Sequence, residues 1–115
     1  MDMSREKVVL CASNAYNRKY YLNPSFDGLP TSVKEELQIM CVLYTEDVGG
    51  ILELTFDEDG NLQFETNYEE GDFFYDEIGS VLKIKQYQNT KRELLESVET
   101  YYRIMFLGEG FDEEE

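Results

Sequence analysis

Apolar and polar residues alternate with period two in one part of the chain and recur every three to four residues elsewhere. Leu52, Leu54 and Phe56 alternate with Glu53, Thr55 and Asp57, and Leu62, Phe64 and Thr66 alternate with Gln63 and Glu65. This predicts two strands, 51–57 and 61–66, each apolar on one face and polar on the other. Asp57-Glu58-Asp59-Gly60-Asn61 between them reads as a hairpin turn, with Gly60 supplying the left-handed residue of a type I turn with a bulge. Leu52, Leu54, Phe56, Leu62 and Phe64 should face the helices, and Glu53 and Glu65 should face away. A one-residue slip would invert every side chain. Residues 8–13 and 19–22 read as a second pair of strands around the turn-like Ser13-Asn14-Ala15-Tyr16-Asn17. Asn23-Pro24, Asp27-Gly28 and Pro30 mark 23–30 as a loop.

Helical spacing follows Pro30. Val33, Leu37, Met40, Cys41, Tyr44 and Val48 form one stripe, opened by the capping box Ser32-x-x-Glu35 and closed by Gly49-Gly50. Ile39, Val42 and Leu43 fall on the opposite side, and a helix apolar on two sides is usually buried on two sides. Their expected cover is either the C-terminal helices or a second copy across a two-fold axis. The C-terminal helices are favoured, because Ile104, Phe106 and Leu107 also lie off their own stripe. Residues 67–72 form an acidic connection. Phe74, Ile78, Val81 and Leu82 suggest a helix beginning after Asp72, yet Leu82 and Ile84 also alternate with Lys83 and Lys85. Residues 73–88 therefore stay open between helix and part strand. Thr90-x-x-Glu93 is a second capping box, and Leu94, Val98, Tyr101, Tyr102 and Met105 continue as a helix that Gly108 closes.

The order ββ-α-ββ-α(α) predicts an α+β fold. Its four-stranded antiparallel sheet is made of two hairpins, with helices packed on one face. One domain spans 1–108, and 109–115 is an acidic tail that frays.

Charge narrows the choice of partner. The net charge of this 115-residue chain is −15, and residues 35–82 contain no Lys or Arg. Such a field repels phosphates and anionic membranes, so neither nucleic acid nor membrane is an expected partner. A basic protein fits, although charge of this kind also serves solubility. No apolar run is long enough to span a bilayer, and Val8 to Ala12 is too short for a signal-peptide core. The expected location is cytoplasmic.

Candidate chemistry is sparse. With no histidine, the usual general base and the commonest transition-metal ligand are missing. No cofactor or metal is implied. Asp57-x-Asp59-x-Asn61 resembles the start of a calcium loop, yet Leu62 and Tyr68 stand where that loop needs Gly and Glu. Cys11 and Cys41 sit in apolar stretches and read as reduced, buried thiols. Cys41 is the one conceivable nucleophile, but apolar and acidic neighbours raise a thiol's pKa. Tyr20-Tyr21 and Tyr101-Tyr102 read as core residues with surface hydroxyls rather than as a stacking platform.

Three stretches carry a resemblance. They are Glu36-Leu37-Gln38-Ile39-Met40-Cys41-Val42-Leu43-Tyr44-Thr45-Glu46-Asp47-Val48-Gly49-Gly50, Asp76-Glu77-Ile78-Gly79-Ser80-Val81-Leu82-Lys83-Ile84-Lys85 and Lys91-Arg92-Glu93-Leu94-Leu95-Glu96. Together they resemble a family of uncharacterised small acidic bacterial proteins. The resemblance spans most of the chain and implies a bacterial cytosolic protein with a domain of unknown function. It transfers no catalytic residue. The residues themselves favour a non-enzymatic protein–protein interaction module, or a small acidic regulator or inhibitor. Ile39, Val42, Leu43, Glu53, Asp57, Asp59 and Glu65 are the candidate surface. The expected partner is a basic protein, with a homodimer as the alternative. The competing readings are a regulator binding a small ligand, and an enzyme using carboxylates or Cys41.

Overall fold

Two hairpins, each of strands apolar on one side, pair along their inner strands to make the sheet. The computed structural model describes residues 7–109. Strands β1 (Val8–Asn14) and β2 (Lys19–Leu22) form the first hairpin, followed by helix α1 (Thr31–Val48). Strands β3 (Ile51–Phe56) and β4 (Leu62–Asn67) form the second, followed by α2 (Glu77–Thr90) and α3 (Arg92–Met105). All pairings are antiparallel and the sheet order is β2-β1-β3-β4. This is the expected α+β architecture and element order.

The alternation in the second hairpin sets its faces as expected. Leu52, Leu54 and Phe56 are buried, and Phe64 and Leu62 stand opposite Leu54 and Phe56 on β4. Glu53 and Glu65 pair with each other in the intervening register. Glu65 is half-buried there, accepting from Lys7 Nζ at 2.7 and 2.8 Å and from Thr55 Oγ1 at 3.2 Å. In β1 the register shifts between Val9 and Cys11, leaving Leu10 as an extra residue. This bulge allows consecutive residues, Leu10 and Cys11, both to be fully buried. Asn23 secures the shift by donating its backbone N–H to Leu10 and its side-chain amide to Val9.

Helix α1 buries Leu37, Met40, Cys41, Tyr44 and Val48, the stripe its spacing predicts. Burial of each large side chain stabilises by about 1.5–3 kcal/mol relative to exposure. The start of the helix differs from expectation. Pro30 takes the capping position with φ −57°, Lys34 N–H closes the first turn on the Pro30 carbonyl, and no side chain caps. Ser32 lies inside the helix, so the Ser32–Glu35 box does not form. The box at Thr90 fails similarly. Thr90 ends α2, its hydroxyl donates back to the Gln86 carbonyl at 2.9 Å, and α3 starts without a side-chain cap. Asp76 is the working cap, accepting from Gly79 N–H at 2.8 Å.

Residues 77–90 are helical throughout, which excludes the strand alternative. The orientation of α2 is the larger surprise. Ser80 and Tyr87 are its buried residues, while Ile78, Val81 and Leu82, the residues that suggested the helix, are exposed. In α3, Leu94, Leu95, Val98 and Tyr102 are buried. Tyr102 stacks on Phe56 with centroids 4.1 Å apart, and Phe106 stacks on Phe26 at 4.9 Å. The end of α3 thus turns toward this aromatic cluster and not toward the outer side of α1. Among the described residues the expected cover by the C-terminal helices is therefore absent. Ile39 and Leu43 are exposed and Val42 is half-buried. The acidic tail beyond Glu109 lies outside the described residues.

Candidate interaction surface

Between β4 and α2 the chain crosses an acidic stretch that tyrosines hold in place. Tyr68 donates its hydroxyl to Glu77 Oε2 at 2.6 Å and stacks on Tyr75 with centroids 4.5 Å apart. Tyr16, from the first hairpin turn, donates to Asp72 Oδ2 at 2.5 Å and accepts from Glu69 N–H at 3.0 Å. Tyr75 reaches inward, its hydroxyl 3.3 Å from that of Tyr44. Its ring lies against Gly50, where φ is +71° and an added Cβ would come within 2.5 Å of the Asn67 carbonyl. Asp76 N–H ties the far end of the segment to the Val48 carbonyl at 3.3 Å.

Within this fastened segment two phenylalanines point away from the core. Phe73 is 92% exposed and Phe74 96%, and Ile78 at 76% and Leu82 at 63% continue the apolar surface onto α2. Each such side chain forgoes about 1.5–3 kcal/mol of burial. Single exposed apolar residues are ordinary, whereas a group of them marks a contact surface. Glu69, Glu70, Asp72, Asp76 and Glu77 surround the pair in sequence. Beside Phe73 and Ile78 lies a hollow of about 480 Å³, lined also by Tyr68, Tyr75, Asp72, Asp76 and Glu77.

The residues nominated from sequence do not come together on one surface. Ile39 and Leu43 lie on the exposed side of α1, which is joined to α2 by a 3.0 Å ion pair between Asp47 and Lys83. Glu53 and Glu65 lie on the polar side of the second hairpin. Asp57 and Asp59 belong to the turn between β3 and β4. There Asp57 Oδ1 accepts from the N–H groups of Asp59 and Asn61 at 3.0 and 2.9 Å. The Asn61 N–H foremost holds the Asp57 carboxyl below its usual range. Arg103 braces the turn by donating to Asn61 Oδ1 at 2.6 Å. Asp57 thus serves as a turn residue.

The thiols are deep in the core. Cys11 on β1 and Cys41 on α1 are both free and buried, with sulfurs 3.9 Å apart. The hydrogen bond with Cys11, then burial, pushes the Cys41 thiol well above its ordinary pKa, which suppresses thiolate chemistry. The Tyr20 hydroxyl is buried with no hydrogen-bond partner among the described residues. Burial foremost, then the neighbouring Cys11, raises its pKa. Ser13 and Thr45 continue this polar seam with hydroxyls 2.8 Å apart. Tyr102 is a core residue as its spacing predicts, whereas Tyr21 is exposed. A second hollow, of about 660 Å³, opens between the first hairpin and α1 and is lined by Arg18, Lys19, Val42 and Glu46 among others.

Helical spacing hid Phe74, and Phe73 fell in no pattern. Phe74 fitted a stripe with Ile78, Val81 and Leu82, and such a stripe is ordinarily a core face. The contrary signal was local: two adjacent phenylalanines inside a run of carboxylates, which water holds at the surface.

No helix among the described residues is long and apolar enough to cross a membrane. No curated protein and no solved structure matches the chain. A sequence profile described as a family of unknown function (DUF6145) matches residues 7–110, and the chain belongs to that family.

Proposed function

We propose that the protein is a non-enzymatic protein-binding module whose partner sits on Phe73, Phe74 and the exposed side of α2. The observation that supports this reading is that α2 is apolar on its outer side as well as on the inner side that buries Tyr87 and packs Ile84 against the core. Its apolar residues Ile78, Val81 and Leu82 face solvent while Ser80 faces the core. Apolar residues grouped on the outer side of a helix mark a contact surface. The site of action is the bacterial cytoplasm, a reading supported by the buried free thiols and by the family resemblance. Cell fractionation of the native host tests that location.

The functional test is a triple substitution, Phe73→Ser, Phe74→Ser and Ile78→Ser. All three side chains are exposed, so the circular dichroism spectrum and the urea midpoint should stay unchanged. In-cell crosslinking followed by purification should recover partners with the wild type that the triple variant loses. Identical crosslinked species from both proteins would contradict the reading.

A second reading is a regulator that binds a small anion in the 660 Å³ hollow. Its support is a pair of exposed cations, Arg18 and Lys19, lining a hollow on an otherwise acidic chain. Arg18→Ala together with Lys19→Ala should abolish any carboxylate-induced rise in Tm. No rise in the wild type with small carboxylates would dispose of this reading.

A further inference from the structure

Resting on the interaction reading above, we propose that the occupant of this surface is a basic, amphipathic segment of another protein. It places a Lys or Arg side chain in the hollow beside Tyr68 and Tyr75 and packs apolar side chains on Phe73, Phe74 and Ile78. The hollow combines two stacked rings with three carboxylates, those of Asp72, Asp76 and Glu77. Aromatic faces and carboxylates are the two groups that attract an ammonium or guanidinium ion most strongly. The carboxylates already accept hydrogen bonds, but from neutral donors: the Tyr16 hydroxyl and Phe74 N–H on Asp72, Gly79 N–H on Asp76, and the Tyr68 hydroxyl on Glu77. Among the described residues none of the three forms an ion pair. Their negative charge therefore remains available to a partner.

Charge complementarity selects among occupants. Residues 35–82 carry fourteen Asp and Glu and no Lys or Arg. A second copy would set the same carboxylates against each other, and an anionic lipid surface would be repelled as well. A basic segment is attracted at long range and then finds an apolar centre inside a charged rim, the usual anatomy of a protein interface. The centre is also preorganised. Tyr16, Tyr68 and Tyr75 fix the segment before any partner arrives, so little ordering remains to oppose binding. Aromatic side chains displayed from a fixed backbone are where binding energy concentrates.

The probe is a synthetic peptide of about 18 residues with Leu along one helical face and Lys on the other. The control peptide keeps the Leu positions and carries Glu in place of Lys. Anisotropy titrations compare the wild type, Phe73→Ser/Phe74→Ser, and Glu35→Gln/Glu36→Gln at a distant exposed site. The Lys peptide should bind the wild type, weaken as salt is raised, and lose at least about tenfold in affinity with the phenylalanine variant. The Glu35/Glu36 variant should change affinity less than about twofold. Equal affinity for all three proteins would mean attraction by net charge alone and would overturn the proposal. Equal binding of the Glu peptide would do the same. Sedimentation supplies the remaining arm. A wild-type dimer that Phe73→Ser/Phe74→Ser dissociates would leave the surface an interface but replace the basic partner by a second copy. Crosslinked native partners combined with no binding of the Lys peptide would likewise overturn the basic chemistry while the interaction reading stands.

Discussion

Two tyrosine hydroxyls meet opposite fates inside the core. Tyr44 has its oxygen 2.6 Å from Ser80 Oγ and joins α1 to α2. Tyr20 leaves its hydroxyl buried beside two thiols without a partner among the described residues. An unsatisfied buried hydroxyl costs about 1–3 kcal/mol, so the same substitution should act in opposite directions at the two sites. Tyr44→Phe should destabilise by about 1–3 kcal/mol by orphaning Ser80, and Tyr20→Phe should be neutral or stabilising by about 1 kcal/mol. Urea unfolding of both variants checks the pair. Titration gives a further expectation. Cys41, Tyr20 and Tyr44 all have raised pKa values in the fold, and burial contributes to each. The folded state therefore keeps protons that the unfolded chain releases from about pH 8.5 for Cys and about pH 10 for Tyr. Stability from these groups is fully present below about pH 8 and declines as pH rises beyond it. The urea midpoint between pH 7 and 11 should fall; a midpoint that rises with pH would contradict this account. The hydrophobic positions of these residues were legible in sequence, but the hydroxyl partners were not. Ser80 and Tyr44 are 36 residues apart, and no local pattern links them.

Among the elements, the strands followed their sequence and the helices only partly did. Strict alternation in β3 and β4 allows one register, so facing and pairing were both legible. The bulge at Leu10 was not, because it depends on how Asn23 ties back to Val9 and Leu10. The two Ser/Thr-x-x-Glu boxes were present as motifs and unused as caps. Pro30 set one helix start, and the close succession of α2 and α3 at Lys91 set the other. For α2 the period was legible and the direction was not, since periodicity identifies a face without saying what covers it. The inward side instead carries Ser80, bonded to Tyr44 of α1, together with Ile84 and Tyr87. The site was correspondingly hard to read: Ile39 and Leu43 proved exposed, Phe74 fell in an expected helical stripe, and Phe73 belonged to no pattern. Gly50 is where the second hairpin meets the displayed segment. Its positive φ and its closeness to Asn67 and Tyr75 leave no room for a methyl group. Gly50→Ala should cost about 1–3 kcal/mol by strain alone. It should also disturb Tyr75, visible as a change in near-ultraviolet circular dichroism. An unchanged urea midpoint would show that the turn relaxes freely.

The molecule as a whole joins three properties: a buried sheet-and-helix core, strong negative charge between residues 35 and 82, and an apolar group left outside. The first explains stability and asks nothing of a partner. The second and third conflict within a lone chain, because charge favours dispersal while exposed phenylalanines favour association. A basic, partly apolar partner satisfies both together. The most direct test is nuclear magnetic resonance mapping. ¹⁵N-labelled protein is titrated with the Leu/Lys peptide, and the perturbed amides are placed on the fold. Saturable shifts should concentrate at residues 68–82, led by Phe73, Phe74 and Ile78, with β1 and β2 unmoved. Shifts spread evenly over all acidic segments, or centred on the hollow at Arg18 and Lys19, would contradict this expectation.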